Sequence, residues 1–104
     1  MKRYSEMTQE ELFREMQHLL GESRKKHQAG FISEGNILEQ KFFMAKSYTL
    51  DPQFIEIGKE YTVIGEDEEV FTVLYLNGVF AWGRFPGSTE DVAFPIGRLE
   101  KKEH

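Results

Sequence analysis

The apolar residues of this chain keep one period before Asp51-Pro52 and another after it. Ahead of that dipeptide they recur at spacings of three and four, as on one face of a helix. Beyond it, β-branched and aromatic residues run in short stretches broken by Gly and Asn-Gly, as in short strands. A chain of 104 residues has room for one domain, or for two small pieces sharing a core. The expected fold class is therefore α+β. Residues 1–52 are read as an antiparallel helical hairpin and 53–104 as an SH3-like small β-barrel, packed as one cooperative unit.

The first helix has a marked start. Thr8 is an N-cap, Glu11 completes a capping box, and Met7 and Leu12 stand at the N′ and N4 positions of a hydrophobic staple. Leu12, Met16, Leu19, Leu20 and Ser23 continue one stripe. Gly21 weakens it by about 1 kcal/mol relative to Ala, and Gly30 supplies a left-handed stop. Ser33 is the expected second N-cap, with Ile32 and Ile37 as its staple. This helix is predicted to run to Leu50 and to end before Pro52, because a residue preceding proline avoids the α region. Its main face is read as Ile37, Leu38, Met44, Ala45 and Tyr48, with Lys41 alongside. Phe43 and Leu50 lie on the opposite side, and a helix apolar on two sides is usually sandwiched.

Strands are predicted over 60–64, 69–76, 79–85, 92–95 and 99–102. The strongest signal among them is Asn77-Gly78, a short hairpin turn. Five short strands with one central hairpin suggest a small barrel, with orthogonal sheets or an OB-like barrel as alternatives. A two-residue turn at Asn77-Gly78 pairs Tyr75 with Phe80 and Val73 with Trp82. One face then carries Val70, Thr72, Leu74, Leu76, Val79, Ala81, Gly83 and Phe85, and it suits a cramped interior. The other carries Phe71, Val73, Tyr75, Phe80, Trp82 and Arg84. Phe43 and Leu50 of the second helix are expected to cover that aromatic face and to bury Trp82.

The segment Tyr75-Leu76-Asn77-Gly78-Val79-Phe80-Ala81-Trp82-Gly83 resembles the YfhH-like family of small uncharacterised proteins from Gram-positive bacteria. Lys2-Arg3-Tyr4-Ser5, Met7-Thr8, Met44-Ala45-Lys46 and Pro95-Ile96 extend the resemblance over nearly the whole chain. It implies a helical hairpin followed by an SH3-like barrel. It implies no activity and transfers no catalytic or binding residue.

Composition narrows the function by exclusion. With no Cys, the chain has no disulfide framework, thiolate zinc site, iron–sulfur cluster or Cys nucleophile. Aromatic residues make up 13%, too many for a disordered chain. No apolar run approaches the roughly 20 residues of a membrane span. The charged start, Met1-Lys2-Arg3-Tyr4-Ser5-Glu6, does not read as a secretory signal. These features point to a cytoplasmic protein with no membrane partner.

Candidate chemistry is sparse. His18 and His27 are nine residues apart on one helix and point in opposite directions. His18 with Glu22 lacks the three or four ligands of a metal site, and His27 reads as a residue near a helix end. His104 is terminal. Gly78, Gly83 and Gly87 precede no helix, so they form no phosphate cradle. Glu66-Asp67-Glu68-Glu69 lacks the ligand spacing of a calcium loop and reads as a solvated turn. Nothing orients Glu90 and Asp91 as an acid–base pair. No enzyme, metal or cofactor is expected.

What remains is a candidate interaction surface: the cations Arg24, Lys25 and Lys26 at the end of the first helix, and Tyr75, Trp82 and Arg84 on the sheet. Arg98, Lys101 and Lys102 add positive charge to the sheet half. Aromatic-lined surfaces dock Pro-rich peptides, and helix-end cations also suit the macrodipole. The expected function is a non-catalytic intracellular protein-interaction module, its partner another protein or a second copy of itself. The alternative is a nucleic-acid-associated accessory protein using the local basic patch. The net charge of -5 disfavours this, because nucleic-acid binders usually carry a basic domain or stripe.

Overall fold

The capping box forms as read. The Thr8 hydroxyl accepts from the Glu11 backbone N–H at 3.1 Å, and the Glu11 carboxylate accepts from the Thr8 N–H at 3.0 Å. Helix α1 runs from there over Gln9–Gln28. The computed structural model describes residues 2–66 and 70–102. The chain divides into two compact units, Met1–Thr49 and Leu50–His104.

Helix α1 ends in a Schellman motif. Gly30, at φ +87°, donates to the His27 carbonyl at 3.1 Å, and Phe31 donates to the Lys26 carbonyl at 2.8 Å. Phe31 is also the N-cap of helix α2, Ile32–Ser47. Its carbonyl accepts the first α2 bond, from the Gly35 N–H. The corner therefore leaves no room for Ser33 as N-cap, and that expectation is corrected: Ser33 lies inside the first turn. The helix also stops three residues short of Leu50.

The α1–α2 seam buries Leu12, Leu19 and Ala45, with Met7, Met16, Leu38, Phe42 and Tyr48 packed against them. Ile37 is 52% exposed and is not part of it. The reason lies one turn earlier. Gly35 is buried against α1, close enough that a Cβ there would fall 2.1 Å from the His27 ring. Ser23 donates to the Gly35 carbonyl at the same crossing, at 2.9 Å. This approach sets the inward stripe at Gly35, Leu38, Phe42 and Ala45, spaced three, four and three, and turns Ile37 outward.

The second unit is a five-stranded antiparallel sheet of order β4-β3-β2-β1-β5. Its strands are β1 Glu60–Val63, β2 Phe71–Asn77, β3 Phe80–Arg84, β4 Val92–Pro95 and β5 Leu99–Lys101. A 3-10 turn over Ile96–Arg98 joins the last two. Among the described residues no ladder joins β4 to β5, so the sheet is open at both edges rather than closed as a hydrogen-bonded barrel. The acid run at 67–69 and His104 lie outside the described residues.

The hairpin register differs from the expected one in two ways. Asn77 pairs with Phe80, so the turn residues are Gly78 and Val79, with Gly78 at φ +60°. Glycine at the first turn position is what a primed hairpin turn requires. Tyr75 pairs with Trp82, Leu76 with Ala81, and then a bulge at Leu74 brings Val73 opposite Gly83. The bulge adds one residue to β2 and exchanges the faces beyond it. Phe71 and Val73, read as outward, are fully buried, whereas Leu74 is 41% exposed.

The inner face thus gathers Tyr61, Val63, Phe71, Val73, Ala81 and Ile96, with Phe85, Phe94 and other apolar residues packed on them. Phe71, Phe85 and Phe94 form a ring triangle with centroids 5.2–5.9 Å apart, a spacing suited to edge-to-face attraction. Gly83 admits the Phe71 ring. A Cβ at Gly83 would stand 2.9 Å from that ring and 2.0 Å from the Thr72 carbonyl oxygen.

Candidate interaction surface

The register places Thr72, Tyr75, Asn77, Phe80, Trp82 and Arg84 on the outer face of β2 and β3, because directly paired residues share a face and alternate along each strand. Tyr75 and Trp82 are stacked, centroids 5.8 Å apart and planes within 5° of parallel. Tyr75 is 44% exposed and Phe80 36%. Trp82 is of intermediate burial, and its cross-strand partner is Tyr75 rather than Val73. Arg84 follows two residues along the same face, and its guanidinium donates from Nε to the Asp91 carboxylate. Three of the six expected surface residues thus adjoin one another.

The other three belong to the first unit, on the last turns of α1. Arg24 is exposed. Lys25 reaches Glu22 at 3.5 Å. Lys26 pairs with Glu34 at 3.1 Å and lies 5.3 Å from the Phe31 ring centroid. Two of the three cations are therefore answered locally, which reduces the field a phosphate backbone would meet. Arg98, also read as surface charge, is structural: it donates to the Ile64 carbonyl from Nε and from a terminal nitrogen, at 3.1 and 2.7 Å, and lies over Phe94.

His27 is held, with Nε2 3.1 Å from the Asn36 side-chain oxygen. His18 is exposed, beside Glu15 on the wall of a cleft. No group of three or more His, Cys, Asp or Glu side chains is placed to hold a metal among the described residues. No described helix is long and apolar enough to cross a membrane.

Sequence reasoning missed the cleft itself. It lies where the 3-10 turn Tyr4–Glu6 meets α1 and α2, and Tyr4, Met7, Leu19 and Leu38 line it. Burial, reinforced by the Glu15 carboxylate, pushes the Tyr4 phenol above its ordinary pKa. The available signal was the aromatic Tyr4 just ahead of a capping box, in a segment otherwise read only as a charged start.

The geometry defines a small α+β protein with an aromatic outer sheet face. The chain belongs to the family described as "Protein of unknown function (DUF1811)", which matches it over residues 2–100. It is 46% identical over 103 residues to the "Uncharacterized protein YfhH" of Bacillus subtilis (strain 168), with 98% of each chain covered. The resemblance read from the hairpin segment thus extends over nearly the full length.

Proposed function

We propose that this chain is a non-catalytic, cytoplasmic protein-interaction module that takes an extended Pro-rich segment of a partner protein on the outer face of β2 and β3. The observation that carries this reading is the parallel Tyr75–Trp82 stack, with Phe80 and Arg84 on the same face. Parallel aromatic rings on a sheet face offer flat surfaces against which proline rings pack, and a polyproline helix has little conformational entropy to lose on docking.

An SH3-like barrel is the architecture we propose for the sheet. Neighbouring strands lie about 4.8 Å apart, so four spacings across a flat sheet would separate β4 from β5 by about 19 Å. The Ile96–Arg98 turn that links them rises only about 2 Å per residue. A link this short favours a strongly curled sheet whose edges approach each other without pairing.

Trp82 is the sole Trp, so its emission reads the surface directly. Titration with an array of Pro-rich peptides is expected to shift that emission saturably, with an affinity that changes little from low to physiological salt. Tyr75→Ala should abolish the response. Saturable binding of a mixed-sequence single-stranded oligonucleotide, weakening steeply with salt, would replace this reading with the nucleic-acid one, since phosphate contacts release counterions.

A further inference from the structure

The cleft is lined by residues of the first unit alone. Its volume is about 540 Å³, inside the range of about 300–1,000 Å³ typical of small-molecule sites. Tyr4, Met7, Leu19 and Leu38 give it an apolar floor, and its polar rim carries three cations, Lys2, Arg3 and Lys41, against the one carboxylate of Glu15, with His18 beside it. Lys2 is already held there by Glu11, at 2.9 Å. Arg3 and Lys41, also on the rim, form no ion pair among the described residues. We propose that this cleft binds a small amphiphilic anion, a medium-chain aliphatic carboxylate whose tail lies on the apolar floor and whose head meets Arg3 and Lys41.

Two physical facts favour this occupant. An apolar floor by itself would take any greasy body, but two unanswered cations at its mouth, in a chain of net charge -5, select a negative head. Tyr4, also in the lining, adds a donor, because a phenol keeps its proton throughout the neutral range. Glu15 is the opposing charge on the wall. It disfavours a second anionic group, so a monocarboxylate fits better than a dicarboxylate.

The test uses the full chain and octanoate below its micelle concentration, followed by amide NMR shifts and calorimetry. Octanoate should move the signals of Tyr4, Leu19 and Leu38 saturably. Octanol should bind about 3–5-fold more weakly, the scale of two exposed ion pairs. Lys41→Glu, at an exposed position, should weaken octanoate by a similar factor and leave octanol unchanged, whereas Glu15→Gln should tighten octanoate. Three results would each overturn the proposal. They are octanol binding as well as octanoate, indifference to Lys41→Glu, and shifts that spread over the molecule without saturating, which is surface adsorption.

Discussion

Three glycines with different surroundings give a graded test of the packing. At Gly83 an added Cβ would lie 2.0 Å from the Thr72 carbonyl oxygen, far inside the 3.4 Å at which ordinary contact begins. The obstructing atom is backbone, and Thr72 and Val73 are fixed by their pairing with Arg84 and Gly83. The clash cannot be relieved by a rotamer change, so the ladder must open. Overpacking typically costs about 1–3 kcal/mol, and a backbone-limited clash belongs at the top, about 3 kcal/mol. Against a total stability of about 5–15 kcal/mol that is a large fraction, equivalent to a fall in Tm of about 12–24 °C.

At Gly35 the obstruction is the His27 ring, a side chain that can turn away. The cost is the His27–Asn36 hydrogen bond and some separation of the helices, partly offset by the better helix propensity of Ala. A net loss of about 1 kcal/mol is expected. At Gly21 nothing lies within 4 Å, so Ala should stabilise α1 by about 0.5–1 kcal/mol. Guanidinium unfolding followed by circular dichroism and by Trp82 emission should rank Gly21→Ala above the parent, then Gly35→Ala, then Gly83→Ala. If Gly83→Ala stays within about 0.5 kcal/mol of the parent, the hairpin register and the bulge at Leu74 are wrong.

The capping box makes a prediction about pH. The Glu11 pKa is lowered from 4.5 to about 2, chiefly by the Thr8 backbone N–H and then by Lys2. A depressed carboxylate contributes its stability above the unfolded pKa and loses it on acidification, so the Tm gap between the parent and Glu11→Ala should be constant above pH 4.5 and shrink as pH falls towards 2. Thr8→Ala should cost about 1 kcal/mol by chemical denaturation. Calorimetry of the full chain is expected to show one transition, and two resolved peaks would make the units independent. A chelator should leave Tm unchanged, whereas a clear fall with EDTA would reveal a structural metal.

The features legible in the sequence were those fixed by a few neighbouring residues. Thr8 and Glu11 announce a helix start because both halves of the box lie within one turn. Gly30 announces its end, and Gly78 the hairpin. What was not legible depends on contacts remote in sequence. Ser33 has good N-cap chemistry, but the Schellman bonds at Gly30 and Phe31 commit the backbone before Ser33 can act. Ile37 has the spacing of a seam residue, yet the contact between Gly35 and His27 decides which stripe faces α1. The bulge at Leu74 had no local mark, since no Gly or Pro signals it, and a single extra residue was enough to exchange Phe71 and Val73 with the outward set. Between the bulge and the hairpin turn the alternation was sound, so Tyr75, Trp82 and Arg84 were rightly grouped on one face. The cleft at Tyr4 escaped because its walls come from three segments whose meeting no periodicity announces.

The double duty of Phe31 bears on how this chain can be cut and rejoined. One residue serves as the exit of α1 and the cap of α2, so the corner has no slack to lend. An epitope tag or a new pair of termini placed there would break the closing bonds of one helix and the opening bond of the next in a single stroke. Residues 86–91, between β3 and β4, are all exposed, and the bonds seen there are local ones: the grip of Asp91 on Arg84, the Ser88 N–H to the Phe85 carbonyl at 3.1 Å and the Glu90 N–H to the Ser88 hydroxyl at 3.2 Å. A permuted chain opened at Ser88 should keep both units intact, and proteases should find that loop well before they find the helical corner.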